Sequence, residues 1–298
     1  QNESGTYPDK ACFDEYCLWQ VKERGLRYAD PTVLQNAKLH KDIKGKYGPD
    51  LFCDFTVDFI ERHKSEPFFV YYPMALTHAP FEPTPDSKDW KMKKGRKNRN
   101  NFADMVAYMD KIIGRITGKL DELGLRENTL VLFTGDNGTP RSITSKLGDR
   151  VIQGGKGLTT DAGTHVPLVA SWKGTAPKGK VCSDLVDFSD FLPTVAEAVG
   201  TEIPKSMTLD GRSFLPQLRG EKGNPRDWIF CYYNPKTKNA KWRLKIFARD
   251  KRYKLYNDGR FFDVPADPLE ENPIEPGDGG KEASAARKML QAVLDSMK

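Results

Sequence analysis

The 298-residue sequence has no Cys-x-x-Cys pair. Its five cysteines, Cys12, Cys17, Cys53, Cys182 and Cys231, are scattered. That pattern gives no support to zinc ribbons or thioredoxin-type redox chemistry. An odd, sparse set fits buried thiols at least as well as a disulfide frame, and a Cys12–Cys17 bridge stays open. No run approaches the roughly eighteen apolar residues of a membrane helix, so no membrane span is expected. The opening Gln1-Asn2-Glu3-Ser4-Gly5-Thr6 is polar and reads as neither a secretory signal nor a transit peptide. The start, which is not Met, is expected to be a processing product or the edge of a fragment. A strong charge imbalance is lacking too: 47 Lys+Arg against 41 Asp+Glu leave +6, a modest field that favours anionic partners. With 38% hydrophobic and 30% charged residues, the chain is neither collagen-like nor low in complexity, and it is expected to fold.

What is present alternates helix and strand. Residues 1–47 are polar and weakly periodic. Phe52, Phe55, Phe59 and Ile60 predict a helix over about 50–63. The continuous apolar run Phe68-Phe69-Val70-Tyr71-Tyr72 predicts a strand buried on both faces of a parallel sheet. Phe102, Met105, Val106, Met109, Ile112, Ile113, Ile116, Leu120 and Leu123 recur at helical steps, with Gly124 as C-cap. Thr129–Thr134 and Val166–Trp172 predict two more strands, and Ser189–Val199 a helix. Beyond about Gly223 come short aromatic strands, the Asn257-Asp258-Gly259 turn and a last helix striped by Ala286, Met289, Leu290, Val293, Leu294 and Met297. The expected fold is α/β: a layered, mixed, largely parallel sheet between helices over 1–223. A small antiparallel subdomain covered by one helix is expected over 224–298.

Four places can carry chemistry. Asp136-Asn137 sets a carboxylate beside an amide carbonyl at a strand end, as hard cations require; Asp-Asn-Gly is equally a common turn. His78, on a loop beyond a strand, suits a general acid, an anion contact or a plain loop residue. Lys156 lies between glycines, as a backbone cradle for an oxyanion or as a flexible surface loop. The P-loop spacing is absent. Lys88, Lys91, Lys93, Lys94, Arg96, Lys97 and Arg99 form a basic run suited to polyanions or to solvent. Trp90 is its one aromatic, so nucleic-acid binding by stacking is not expected.

Taken in order, several stretches resemble the sulfatase family of the alkaline-phosphatase superfamily. They are Pro67–Tyr72 through Thr77-His78-Ala79-Pro80, Met109–Arg115, Thr134-Gly135-Asp136-Asn137-Gly138, Gly155–Pro167, Asp190–Thr194, Tyr253–Tyr256 and Phe261–Asp263. The resemblance runs from about Phe13 to the end. It implies that Asp136 and Asn137 are ligands of Ca2+ (Mg2+ in some members), and that Lys156 holds the sulfate oxygens. It also implies that His78 contacts the ester and protonates the leaving alcohol. His165 sits where the family usually has arginine and is read as a substrate-side contact or a structural residue. The family's early Asp-Asp pair and its Cys/Ser-x-Pro/Ala-x-Arg motif, source of the formylglycine nucleophile, are absent from this sequence. The formylglycine is therefore expected in a missing N-terminal part, and this chain alone is expected to be inactive and poorly stable. The implied substrate is a sulfated small molecule or polysaccharide; the implied compartment is periplasmic, secreted or lysosomal. A phosphate or phosphonate ester hydrolase and a non-catalytic sulfated-glycan binder are the alternatives.

Overall fold

A computed structural model describes residues 12–19, 25–41, 43–90, 98–235 and 244–297. The chain packs as two compact units, Gln1–Thr129 and Leu130–Lys298.

The first unit opens with an antiparallel meander of β1 (Cys17–Trp19), β2 (Val33–Gln35) and β3 (Lys38–His40). The β2–β3 turn is Asn36-Ala37, both left-handed, with φ of 45° and 66°. Helix α1 (Gly48–Arg62) starts with Pro49 in its first turn, where a missing N–H costs nothing. It packs against α2 (Asn101–Glu122). Phe52, Cys53 and Ile60 of α1 and Met105, Ile112 and Leu120 of α2 are buried. Gly124, at φ 70°, ends α2, and the Leu125 amide donates back to the Leu120 carbonyl at 2.8 Å. The helices expected over 50–63 and 102–123 are therefore present. The strand expected at Phe68–Tyr72 is not: the segment pairs with no described strand, and Phe69 and Tyr71 are 63% and 67% exposed.

In the second unit, β4 (Val131–Thr134) is followed by the hairpin β5 (Thr144–Leu147) and β6 (Arg150–Gln153). Then come the single turn α3 (Asp161–Thr164) and β7 (Leu168–Ser171). Strand β7 returns antiparallel to β4, with Thr134 opposite Leu168. Among the described residues every strand pairing is antiparallel, so the expected largely parallel sheet is not seen among them. Apolar runs mark strands suited to a buried sheet, but direction is set by the connection. Here the connection from β4 to β7 holds a hairpin and one turn, with no crossover helix.

Helix α4 (Phe191–Ala198) follows a 3-10 turn, and α5 (Leu215–Leu218) a loop. Asp190, buried at the start of α4, accepts from the Asp187 and Arg212 amides and pairs with the buried Arg226. The chain then forms a four-stranded antiparallel sheet: β8 (Ile229–Tyr233), β9 (Lys245–Arg249), β10 (Tyr253–Tyr256) and β11 (Phe261–Asp263), in the order β11-β10-β9-β8. Helix α6 (Gly280–Ser296) covers one face. Ala248, Tyr253, Leu255 and Phe261 pack there with Ala283, Ala286, Leu290, Val293 and Leu294. Each large aliphatic side chain so buried contributes about 1.5–3 kcal/mol. The period of two along β10 turns Lys254 and Tyr256 to the opposite face.

Candidate active site

In the second unit, three segments stack backbone on backbone at the end of β4. The Gly138 amide donates to the Gly163 carbonyl at 3.0 Å, and the Lys156 amide to the Thr139 carbonyl at 2.9 Å. Glycine is required at two of these approaches. A Cβ on Gly138 would lie 2.0 Å from the Ala162 carbonyl oxygen, and one on Gly155 would lie 2.7 Å from the Ala162 Cβ. The loop bearing Asp136 and Asn137, the loop bearing Lys156 and the turn leading to His165 therefore share one neighbourhood. Asp136 and His165 are exposed; Asn137 and Lys156 are half-buried. The Gly154–Gly157 segment is thus a fitted loop, not a free one.

Asp161 links this neighbourhood to the C-terminal sheet. Its carboxylate lies 3.5 Å from His165 Nδ1 and 2.5 Å from the Arg249 guanidinium. Burial alone would raise the Asp161 pKa. The His165 contact and the charges of Arg249 and Lys254 outweigh burial and hold it below the usual carboxylate range. Lys254 is fully buried. Its ammonium donates to the Thr159 carbonyl at 2.7 Å and to Glu270 at 2.6 Å. Burial pulls its pKa down against the pull of Glu270. The Tyr256 hydroxyl lies 2.9 Å from the Thr159 hydroxyl and 2.5 Å from Glu270. Lys254 and Tyr256 lie in a stretch that carries the family resemblance, but the sequence assigns no site role to them or to Glu270 and Arg249. The available signal was a lysine alone in the strand Tyr253-Lys254-Leu255-Tyr256, where a charge facing inward demands a partner.

Asp136 and Asn137 are hard oxygen donors, the type Ca2+ takes, but they supply two of its roughly six to eight ligands. Among the described residues no group of three or more His, Cys, Asp or Glu side chains is arranged to hold a metal ion.

His78 lies in the first unit, exposed at the end of a turn in which its amide donates to the Ala75 carbonyl at 3.0 Å. Tyr28, buried beneath, sets its hydroxyl 2.8 Å from the Ala75 carbonyl and in contact with the His78 carbonyl. Burial pushes the Tyr28 phenol well above its ordinary pKa, so it stays a donor. His78 Nδ1 lies 2.6 Å from the Ala79 carbonyl, which assigns its proton to that bond and leaves Nε2 for a ligand. Of the basic run, Lys88 and Arg99 are exposed, while Lys91, Lys93, Lys94, Arg96 and Lys97 lie outside the described residues. His63 is held between Glu15 and Glu66. All five cysteines are free. No helix among the described residues is long and apolar enough to cross a membrane.

The chain matches the family model described as Sulfatase over residues 2–201. It matches the model for the N-sulphoglucosamine sulphohydrolase C-terminal region over residues 155–297. It is 31% identical over 197 residues to arylsulfatase D of Homo sapiens, covering 64% of this chain and 32% of that protein. The chain thus spans about a third of the length of that relative. Two solved structures share the fold. One is Ps i-CgsB in complex with k-i-k-neocarrahexaose: TM-score 0.75, 23% identity, covering 98% of this chain and 67% of that one. The other is BT4656 in complex with its substrate D-glucosamine-2-N,6-O-disulfate: TM-score 0.71, 19% identity, covering 96% and 76%.

Proposed function

The chain belongs to the sulfatase family, and from that premise we propose that it forms part of a sulfuric ester hydrolase acting on sulfated carbohydrate. One observation carries the reading: the stacking of the Asp136–Thr139, Gly155–Lys156 and Asp161–His165 segments through amide–carbonyl bonds and glycine contacts. Lys156 supplies a fixed positive charge to the sulfate oxygens as the S–O bond to the leaving alcohol lengthens. As the imidazolium, with Nδ1–H on the Ala79 carbonyl, His78 gives its Nε2 proton to the departing alkoxide. Asp136 and Asn137 are part of the ligand set of a Ca2+ ion (Mg2+ as the substitute). When bound, that ion draws charge from the transferring group. His165, braced by Asp161, stands on the substrate side. Sugar as the substrate class is supported by the two proteins of similar fold solved with saccharides. Phe68–Tyr72, apolar and unpaired among the described residues, suits a strand of a larger and more parallel sheet.

The decisive measurement is turnover of 4-nitrophenyl sulfate by the full-length protein. Lys156→Ala should lower kcat by about 100- to 1,000-fold, the scale for losing one charge-stabilising group. Near-wild-type turnover would remove Lys156 from the mechanism. Preference for 4-nitrophenyl phosphate would reassign the protein to phosphoryl transfer.

A further inference from the structure

Arg27 lies beside His78 and has no part in the roles above. Its guanidinium lies 4.1 Å from the centre of the Trp19 ring, close enough for stacking. The ring is itself fixed, since the Trp19 indole N–H donates to the Gly25 carbonyl at 2.8 Å. Two arginines of the first unit close on acids, Arg62 on Glu15 and Asp58, and Arg115 on Asp50 and Asp54. Among the described residues no carboxylate lies within ion-pair distance of Arg27. An aromatic face holds its position without neutralising it.

The next observation is where that charge is held. An Arg27 terminal nitrogen lies 3.2 Å from His78 Nδ1. The Ala79 carbonyl is closer to the same nitrogen, at 2.6 Å, and takes its proton. The Arg27 guanidinium, which can only donate, therefore finds no acceptor at His78 Nδ1. An oxyanion resting against the Arg27 guanidinium would satisfy it. The pair is also anchored from below. The residue after Arg27 is the buried Tyr28, whose hydroxyl meets the Ala75 and His78 carbonyls, so the Arg27 backbone is tied to the His78 turn.

We propose that Arg27, carried on Trp19, binds a second anionic group of the substrate, a sulfate other than the one hydrolysed. On this assignment Arg27 makes the protein prefer multiply sulfated sugars. The proposal rests on the sulfatase reading, with His78 beside the scissile ester. Arg27's fork can take two sulfate oxygens at once, which a lysine cannot do.

The test is calorimetric binding of two probes, N-acetylglucosamine 6-O-sulfate and glucosamine 2-N,6-O-disulfate, to the chain and its variants. Arg27→Gln should weaken the disulfate about tenfold, the scale of one charge-assisted contact, and the monosulfate by less than about twofold. Arg27→Lys should fall between wild type and Arg27→Gln for the disulfate. It keeps the charge at the site, so it separates loss of charge from loss of fold. The salt dependence of disulfate binding should be shallower in Arg27→Gln than in wild type. Equal weakening of both probes, or no weakening of either, overturns the second-anion role while leaving the sulfatase reading intact. A wild-type chain that binds neither probe overturns that reading itself, and Arg27's role with it.

Discussion

The two faces of the C-terminal sheet are built to opposite rules. The face toward α6 is apolar: Tyr253, Leu255 and Phe261 meet Ala283, Leu290 and Leu294 with little exposed surface. The face away from it places Lys254 and Tyr256 against Thr159 and Glu270. Apolar contacts are non-directional and leave neighbours free to adjust, so the first face sets how stable the sheet is. Buried hydrogen bonds and ion pairs fix positions atom by atom, so the second sets where the segment next to Lys156 lies.

Breaking the polar face should do the most damage. Lys254→Met leaves Glu270 buried without its cation and should cost about 3–5 kcal/mol in urea denaturation. It should also shift the amide resonances of residues 155–165. Replacing both partners, Lys254→Met with Glu270→Leu, should recover most of the stability. Breaking the apolar face should separate the two roles. Leu290→Ala should cost about 2–5 kcal/mol, by transfer and cavity terms, yet leave those resonances in place. If both variants disturb the segment alike, the division of labour between the faces is wrong.

The smallest effect is a pH dependence. The folded pKa of Asp161 lies below its ordinary value, because His165, Arg249 and Lys254 outweigh burial. Its contribution to stability is therefore complete above the unfolded pKa and fades as pH falls through the folded one. The stability gap between wild type and Asp161→Asn should be widest near neutrality and shrink as urea curves are taken toward pH 3. A gap that grows on acidification would reverse the sign of the interaction.

The sheet itself was legible, because alternation and Asn257-Asp258-Gly259 are local signals; Gly259 adopts the left-handed φ of 91° that such a turn needs. Helix α6 was legible through its stripe, although Ala283 is buried and Met297 is 40% exposed. The β1–β3 meander was not read. Its strands are three residues long, and its turn uses Asn36-Ala37 without a glycine to announce it. At Phe68–Tyr72 apolarity was visible but pairing was not, since a run of side chains says nothing about which backbone lies alongside.

Around the candidate site, Asp136, Asn137, Lys156 and His165 stood out because each sits in a short motif. Their closeness in space follows from glycines at Gly138 and Gly155 that admit Ala162, a fact about distance and not about residue type. Arg249 and Glu270 gave no local sign, because they acquire meaning only through partners far along the chain. Arg27 gave none either: its character comes from the ring it rests on and from having no acid within reach among the described residues.

The bond from Lys254 to Thr159 spans 95 positions of sequence. A ribosome adding about 5–20 residues per second needs roughly 5–20 s to deliver the lysine after the threonine has emerged. For that interval the nascent chain exposes the Lys156 loop without its clamp. The final shape of this loop is thus a late event in biosynthesis, reached only after the last sheet is in place.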